Sequence, residues 1–193
     1  VAAHLRGVTQ DVTESRQAEE DLQQSVERFD LVTRATRDGV FDWNIEAGTC
    51  WFSANSRAIF GYDQIGHEGS IEEWRVRIHP SDRSMVSQAM ESQFASDEPY
   101  NVEYRFLRAG GVWRWFQSFG ILQRDDDGKP VRMVGSNRDV SERRQADERF
   151  RVLFERSTDP HLLVDQRGII DCNRATLEML GCPDQESLVG QHP

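Results

Sequence analysis

The residues best equipped for chemistry are one imidazole, three thiols, a run of carboxylates and a set of indoles. His79 stands in His79-Pro80-Ser81-Asp82, and imidazole is a common axial ligand of haem iron. A turn histidine serves equally well as a local hydrogen-bond partner, which is the simpler expectation. Cys50, Cys172 and Cys182 make an odd count without a Cys-x-x-Cys pair. That suits a reducing compartment and excludes c-type haem attachment. Asp125-Asp126-Asp127-Gly128 suggests calcium, but an EF-hand frame with Gly128 sixth puts Gln123 first and Val134 twelfth, where a bidentate Glu is required. The run reads as a solvated hairpin turn. Trp43, Trp74, Trp113 and Trp115 could stack on an isoalloxazine ring, although aromatics at such spacings more often form core. His4, His67, His161 and His192 are scattered. Neither a phosphate-binding Gly loop with Lys nor a supported Ser/His/Asp set is found, so no catalysis is expected of this chain.

These side chains must be positioned by elements whose periods are legible. From Asp11 the pattern is helical: Ala18, Leu22, Val26, Phe29 and Val32 recur at steps of three and four, an apolar stripe on a charged cylinder. Ala146, Phe150 and Leu153 form a similar stripe later. Asp11-x-x-Glu14 and Asp139-x-x-Glu142 read as capping boxes opening the two helices. Residues 40–45 read as a strand, 46–48 as a turn and 49–53 as the hairpin partner. Helical pieces follow to Phe60, then a loop over 61–69, a helical stretch over 71–78, and a helix over 83–95 capped by the His79-Pro80-Ser81-Asp82 turn. Val102, Tyr104 and Phe106 alternate with polar residues. Trp113, Trp115, Gln117, Phe119 and Ile121 share one face of the next strand, and Val131, Met133 and Gly135 one face of the last. Two strands, helices, then three strands predict an α+β fold, a five-stranded antiparallel sheet with helices on one face and amphipathic linker helices at its flanks.

Repetition organises the chain. Residues 7–20 recur as 135–148, with eight of fourteen positions identical at an offset of 128. A weaker echo near an offset of 120 pairs 40–61 with 161–181, matching Gly48 and Gly61 to Gly168 and Gly181. The divisions expected are 1–10, the tail of a preceding module; 11–33, a linker helix; 34–140, one complete domain holding all five Trp; 141–155, a second linker helix; and 156–193, the opening of a further module. That last segment alone lacks most of a sheet and needs a partner to bury its surface. The chain opens at Val1 and stops at Pro193 in mid-pattern, so it is expected to be a piece of a longer protein.

A net charge of −10, from 23 Lys and Arg against 33 Asp and Glu, argues against nucleic acid, which needs clustered cations. No apolar run reaches membrane-spanning length and no signal peptide is evident. A cytoplasmic setting is expected.

Gly39-Val40-Phe41-Asp42-Trp43, Phe60-Gly61-Tyr62, Trp74 with Ile78-His79-Pro80-Ser81-Asp82-Arg83, Glu103-Tyr104-Arg105, Gly111-x-Trp113-Arg114-Trp115 and Gly135-x-x-x-Asp139-Val140-Ser141-Glu142-Arg143, in that order, resemble a PAS sensory domain with its C-terminal PAC extension. The resemblance covers nearly all of 30–144 and implies the PAS fold, tandem arrays, and an output domain elsewhere in a bacterial parent. That output would be a histidine kinase, or alternatively a diguanylate cyclase or phosphodiesterase. The resemblance also bears on cofactors. The 83–95 helix lacks the His of haem-binding relatives, and 61–95 lacks the Cys that forms flavin adducts in light-sensing relatives. A small metabolite, a non-covalent flavin or no ligand stays open, with haem on His79 less favoured.

Three sets of site residues follow. Asp139, Val140, Ser141, Glu142 and Arg143, with Asp11 and Glu14 in the earlier copy, are the expected signal relay, because a strand running straight into a helix must move that helix when it shifts. Phe41, Trp43, Phe60, Trp74, Ile78, Met85, Tyr104, Phe106, Trp115, Phe119 and Met133 are the expected pocket lining. Ala18, Leu22, Val26, Phe29, Ala146, Phe150 and Leu153 are the expected homodimer helices, although Ser15, Ala18 and Ser25 would make a weak heptad seam. The chain is therefore expected to be a sensory and dimerisation module that passes ligand-dependent changes to a distal output domain. The alternative is a ligand-free interaction scaffold.

Overall fold

The computed structural model describes residues 13–36, 38–62, 68–96 and 98–191. Asp11 and the 1–10 segment lie outside the described residues, as do the side chains of Glu14 and Ala18. The fold divides into two compact units, Val1–Asp139 and Val140–Pro193.

The first unit begins with α1 (Thr13–Ala35) and the hairpin β1 (Gly39–Asn44) and β2 (Thr49–Phe52). The hairpin turns on Gly48 at φ 67° and on Asn44, whose Oδ1 accepts from the Ala47 N–H at 3.0 Å. Next come α2 (Ala54–Phe60), β3 (Glu68–Ser70), α3 (Ile71–Arg75), a 3₁₀ turn (Pro80–Asp82), α4 (Arg83–Ala95), and the long strands β4 (Tyr100–Leu107), β5 (Trp113–Arg124) and β6 (Pro130–Asp139). The strands form one antiparallel sheet in the order β3-β2-β1-β6-β5-β4.

The α+β antiparallel plan is thus found, with six strands rather than five. The sixth is β3, within the stretch expected as loop. Its backbone pairs with β2 at Thr49↔Ser70 and Cys50↔Gly69, so main-chain bonding, which leaves no side-chain period in three residues, makes it a strand. The helix expected over 71–78 also ends early, at Arg75. Ile78 leaves it to bridge Phe106 and is fully buried, and Pro80 disfavours helix at the residue before it.

The core lies on the helix-bearing face of the sheet. Phe41, Cys50, Phe52, Phe60, Ile78, Tyr100, Tyr104, Phe106, Phe116 and Met133 are all buried there. α2 is fixed at both ends: Ser53 Oγ accepts from the Ser56 N–H at 3.3 Å and the Val40 N–H at 3.0 Å, and Gly61 closes the helix at φ 71°, a conformation glycine adopts without steric cost.

The second unit contains α5 (Ser141–Arg156), the hairpin β7 (Leu162–Asp165) and β8 (Gly168–Cys172), and α6 (Arg174–Leu180). It repeats the β1-β2-α2 plan. Asn173 stands where Ser53 does, its Oδ1 accepting from the Thr176 N–H at 3.1 Å and the His161 N–H at 2.9 Å, and Gly181 ends α6 at φ 66°. The offset of 120 residues seen in the sequence is therefore a structural repeat. Asn173 Nδ2 also donates to the carbonyls of Phe154 and Asp159 at 3.0 and 2.9 Å, tying the end of α5 to the hairpin.

Candidate functional site

Between the sheet and α3–α4, the inward side chains enclose a cavity of about 20 Å³, room for a single water. Its wall comprises Phe41 and Trp43 of β1, Cys50 and Phe52 of β2, Ile71 and Trp74 of α3, Met90 of α4, Tyr100 of β4, Ser118 of β5, and Met133 and Asn137 of β6. No wall residue carries a formal charge. Two opposed glycines, Gly120 on β5 and Gly135 on β6, let large side chains lie against the sheet. A Cβ on Gly135 would stand 2.6 Å from Phe41 Cζ and would run into the Phe119 carbonyl.

Polar atoms on this wall fall into two groups. Tyr104 Oη and Ser118 Oγ lie 2.7 Å apart, and both hydroxyls are placed to donate to Asn137 Oδ1, Tyr104 from 3.2 Å; with one proton on each hydroxyl, two of the three contacts are donated at a time. This buried hub links β4, β5 and β6. By contrast, Trp43 Nε1 and Tyr100 Oη are buried without a hydrogen-bond partner. Burial raises the phenol pKa values of Tyr100 and Tyr104 well above the ordinary tyrosine range. It likewise pushes the Cys50 thiol up to about 12, so Cys50 is neutral at physiological pH and a poor nucleophile.

Of the side chains expected to line a pocket, Phe41, Trp43, Trp74 and Met133 are on the wall. Phe60, Ile78, Tyr104 and Phe106 are buried in the surrounding core without lining it. Three belong elsewhere. Met85 is 41% exposed on α4. Trp115 and Phe119 lie on the outer sheet face, Phe119 at 42% exposure and Trp115 beneath the Arg105 guanidinium, 5.5 Å from its ring. β5 alternates two sets, Phe116-Ser118-Gly120-Leu122 and Trp115-Gln117-Phe119-Ile121. The sheet turns the first set inward: Phe116, Ser118 and Gly120 are buried and Leu122 packs against the core. Cys50, Phe52, Ile71, Met90, Tyr100, Ser118 and Asn137 also line the wall and were not among the expected residues. The alternation of Tyr100 with Tyr104 could have found one of them; the two polar residues gave no outward sign of burial.

Cofactor fits follow from this geometry. The four indoles are not gathered, since Trp113 packs edge-on against His79 at 4.8 Å and away from the cavity. Ligand pockets for ring systems of flavin size enclose several hundred Å³, so flavin does not fit the wall as arranged. His79 does not line the cavity either; its Nδ1 accepts from the Ser81 N–H at 3.2 Å, capping the 3₁₀ turn, and haem has no ligand there. Cys50 lines the cavity, but from a strand outside 61–95 and with its thiol protonated. In the β5–β6 turn, Asp125 Oδ1 accepts from the N–H groups of Asp127 and Lys129 at 3.1 and 2.8 Å, a hairpin geometry.

Asp82 anchors the 3₁₀ turn to β4. Its carboxylate accepts from Arg105 N and Nε at 2.9 Å each and from Nη2 at 2.6 Å. Those bonds, above all the side-chain ones, hold the Asp82 pKa below the usual carboxylate range. At the far end of β6, Asp139 lies 3.6 Å from Arg114 Nε. Val140 is the cap residue of α5, and its apolar side chain makes no cap bond; β6 keeps its pairing through Asp139↔Phe116. Ser141, Glu142 and Arg143 form the first turn of α5, with Ser141 buried and the other two exposed. Leu22, Val26 and Phe29 on α1 and Ala146, Phe150 and Leu153 on α5 are all exposed.

A family model described as "PAS fold" matches residues 50–137, and one described as "PAS domain" matches 148–192. A solved structure titled as a sensory box histidine kinase/response regulator from Burkholderia thailandensis is 33% identical, covering 65% of this chain and 93% of that one, with a TM-score of 0.58. The chain belongs to the PAS family. It carries parts of two PAS modules in tandem. Curated relatives include the two-component sensor PprA of Pseudomonas aeruginosa, 27% identical over 81% of this chain, and a probable diguanylate cyclase, DgcE, of Escherichia coli, 24% identical over 82%. The chain spans 18% and 14% of their respective lengths. In such sensors the PAS domain is a regulatory module, and no catalytic domain is evident among the described residues. Among the described residues no helix is long and apolar enough to cross a membrane.

Proposed function

We propose that this chain is a cytoplasmic sensory and dimerisation module, whose first PAS unit converts occupancy of its cavity into movement of α5 and so controls a distal output domain. A histidine kinase is the favoured output and a diguanylate cyclase or phosphodiesterase the alternative. The observation that carries the reading is the position of Asn137. It is on the cavity wall, it accepts the Tyr104 and Ser118 protons, and it precedes Asp139 by two residues on the strand that continues into α5. A change in hydrogen bonding at Asn137 therefore acts on the strand segment held by the Asp139–Arg114 pair, and Val140 passes it by covalent continuity to Ser141, Glu142 and Arg143. By analogy with the repeated sequence, Asp11 and Glu14 do the same for a preceding module.

In the parent protein, Asp139→Ala is expected to abolish the change in output activity on stimulation, with basal output retained. A normal stimulated response would remove Asp139 from the relay.

One observation favours a second reading: the cavity is almost filled by its own aromatics and methionines. In that case the unit is a scaffold that sets helix geometry, and substitutions on the cavity wall change stability but never output.

A further inference from the structure

Among the described buried side chains, those of Trp43, Arg57, Gln93, Tyr100 and Arg108 each hold one polar atom with no hydrogen-bond partner. Only Trp43 and Tyr100 line the cavity. They are 8% and 3% exposed, and each presents a donor: Trp43 only an N–H, Tyr100 an O–H whose neutral form burial enforces. A buried donor without an acceptor costs about 1–3 kcal/mol, so two on one wall are a standing penalty that an acceptor would relieve. The rest of the wall is apolar, apart from Ser118 and Asn137, which are engaged with Tyr104.

We propose that the cavity takes a small, uncharged, largely apolar molecule bearing a carbonyl-type oxygen, which accepts from Trp43 Nε1–H and Tyr100 Oη–H. This rests on the reading of the cavity as the sensory site and adds the chemical class of what it senses. Charge is excluded by the wall: with no Lys, Arg or His on it, a carboxylate or phosphate would be buried without a counter-ion. Apolar bulk is welcomed by Phe41, Phe52, Trp74 and Met133. Room comes from Met90 and Met133, unbranched side chains that change rotamer readily; the Met133 methyl now fills the space left open by Gly120.

The test uses the 193-residue chain and three probes of similar size: acetophenone, ethylbenzene and benzoate. The indole N–H signals are followed by nitrogen-15 NMR, with Trp43→Phe identifying the Trp43 resonance. Acetophenone is expected to move that resonance and to bind about tenfold more tightly than ethylbenzene, the ratio one to two neutral hydrogen bonds supply. Benzoate is expected not to bind. Tyr100→Phe deletes only an unpaired donor, so it should keep the melting temperature and shrink the ketone preference severalfold; Trp43→Phe also removes buried ring volume beside Phe94, so it serves the resonance assignment alone. Equal binding of acetophenone and ethylbenzene, preferential binding of benzoate, or no response to any probe with only a trapped water at the indole would each overturn the assignment. The relay is scored separately by Asp139→Ala in the parent protein. If the response needs Asp139 yet no probe binds, the ligand class falls and the relay stands. If acetophenone binds and Asp139→Ala still responds normally, the relay falls and the ligand class stands.

Discussion

Individual side chains in the first unit are set by what burial does to a polar group. Asp82 tolerates near-complete burial because three Arg105 donors converge on it, while the Arg105 side chain keeps a third of its surface in water. Removing the carboxylate by Asp82→Ala should lower unfolding stability at neutral pH by about 2 kcal/mol, the scale of hydrogen bonds to a charged group, read from urea midpoints. The pH dependence has a definite sign. Because the folded-state pKa of Asp82 lies below its unfolded value, its contribution is full above the ordinary carboxylate pKa and fades as pH falls through the folded one. Asp82→Asn should therefore flatten the acid limb of the stability profile. Cys50 acts at the other end. Its folded pKa of about 12 exceeds the ordinary thiol value, so folding holds the proton and stability falls as pH rises above about 9. With Ellman's reagent at pH 8, Cys50 should react only on unfolding, while the half-buried Cys182 reacts in the native chain. Rapid labelling of Cys50 in the native state would contradict the closed wall.

At the scale of elements, the sheet is shaped by where side chains are absent. Gly135 lies under the Phe41 ring, and β5 approaches it so closely that its missing Cβ is what allows the Phe119 carbonyl to lie there. Gly135→Ala should cost at least about 2 kcal/mol, the penalty of overpacking a well-filled core, and appear as a drop in melting temperature. A stable Gly135→Ala variant would mean that β6 moves more freely than its pairing with β1 and β5 suggests. Helix ends obey the same local logic. Ser53 and Asn173 cap α2 and α6 by side chains, so both hairpin-to-helix corners survive in sequences that otherwise differ. α5 instead opens on Val140 directly after a paired strand residue.

For the whole molecule, the decisive feature is apolar surface on its helices. Leu22, Val26, Phe29 and Val32 on α1 are 53–65% exposed, and Phe150 and Leu153 on α5 are 56% and 73% exposed. Stripes of this kind on long helices are buried by a partner. A homodimer through them should give twice the chain mass by light scattering, and Leu22→Glu with Phe29→Glu should return the mass toward that of one chain without changing the near-ultraviolet signal of the PAS core. A single-chain mass for the unsubstituted protein at high concentration would count against the dimer.

Much of this was readable in one dimension. Period-two alternation located β1, β4, β5 and β6, glycine and capping residues located the corners, and the internal repeat announced a second module, because each depends only on neighbours in sequence. β3 was not readable, since a three-residue edge strand is defined by the partner it bonds. The face of β5 was not readable either: Trp115 and Phe119 are as apolar as Phe116, and which set goes in is decided by packing on the sheet rather than by neighbours in the chain. The cavity wall shares that limit. Tyr100, Ser118 and Asn137 are ordinary strand residues until β4, β5 and β6 stack them side by side. The unpaired donors of Trp43 and Tyr100 exist only because folding takes both groups out of water without bringing them an acceptor.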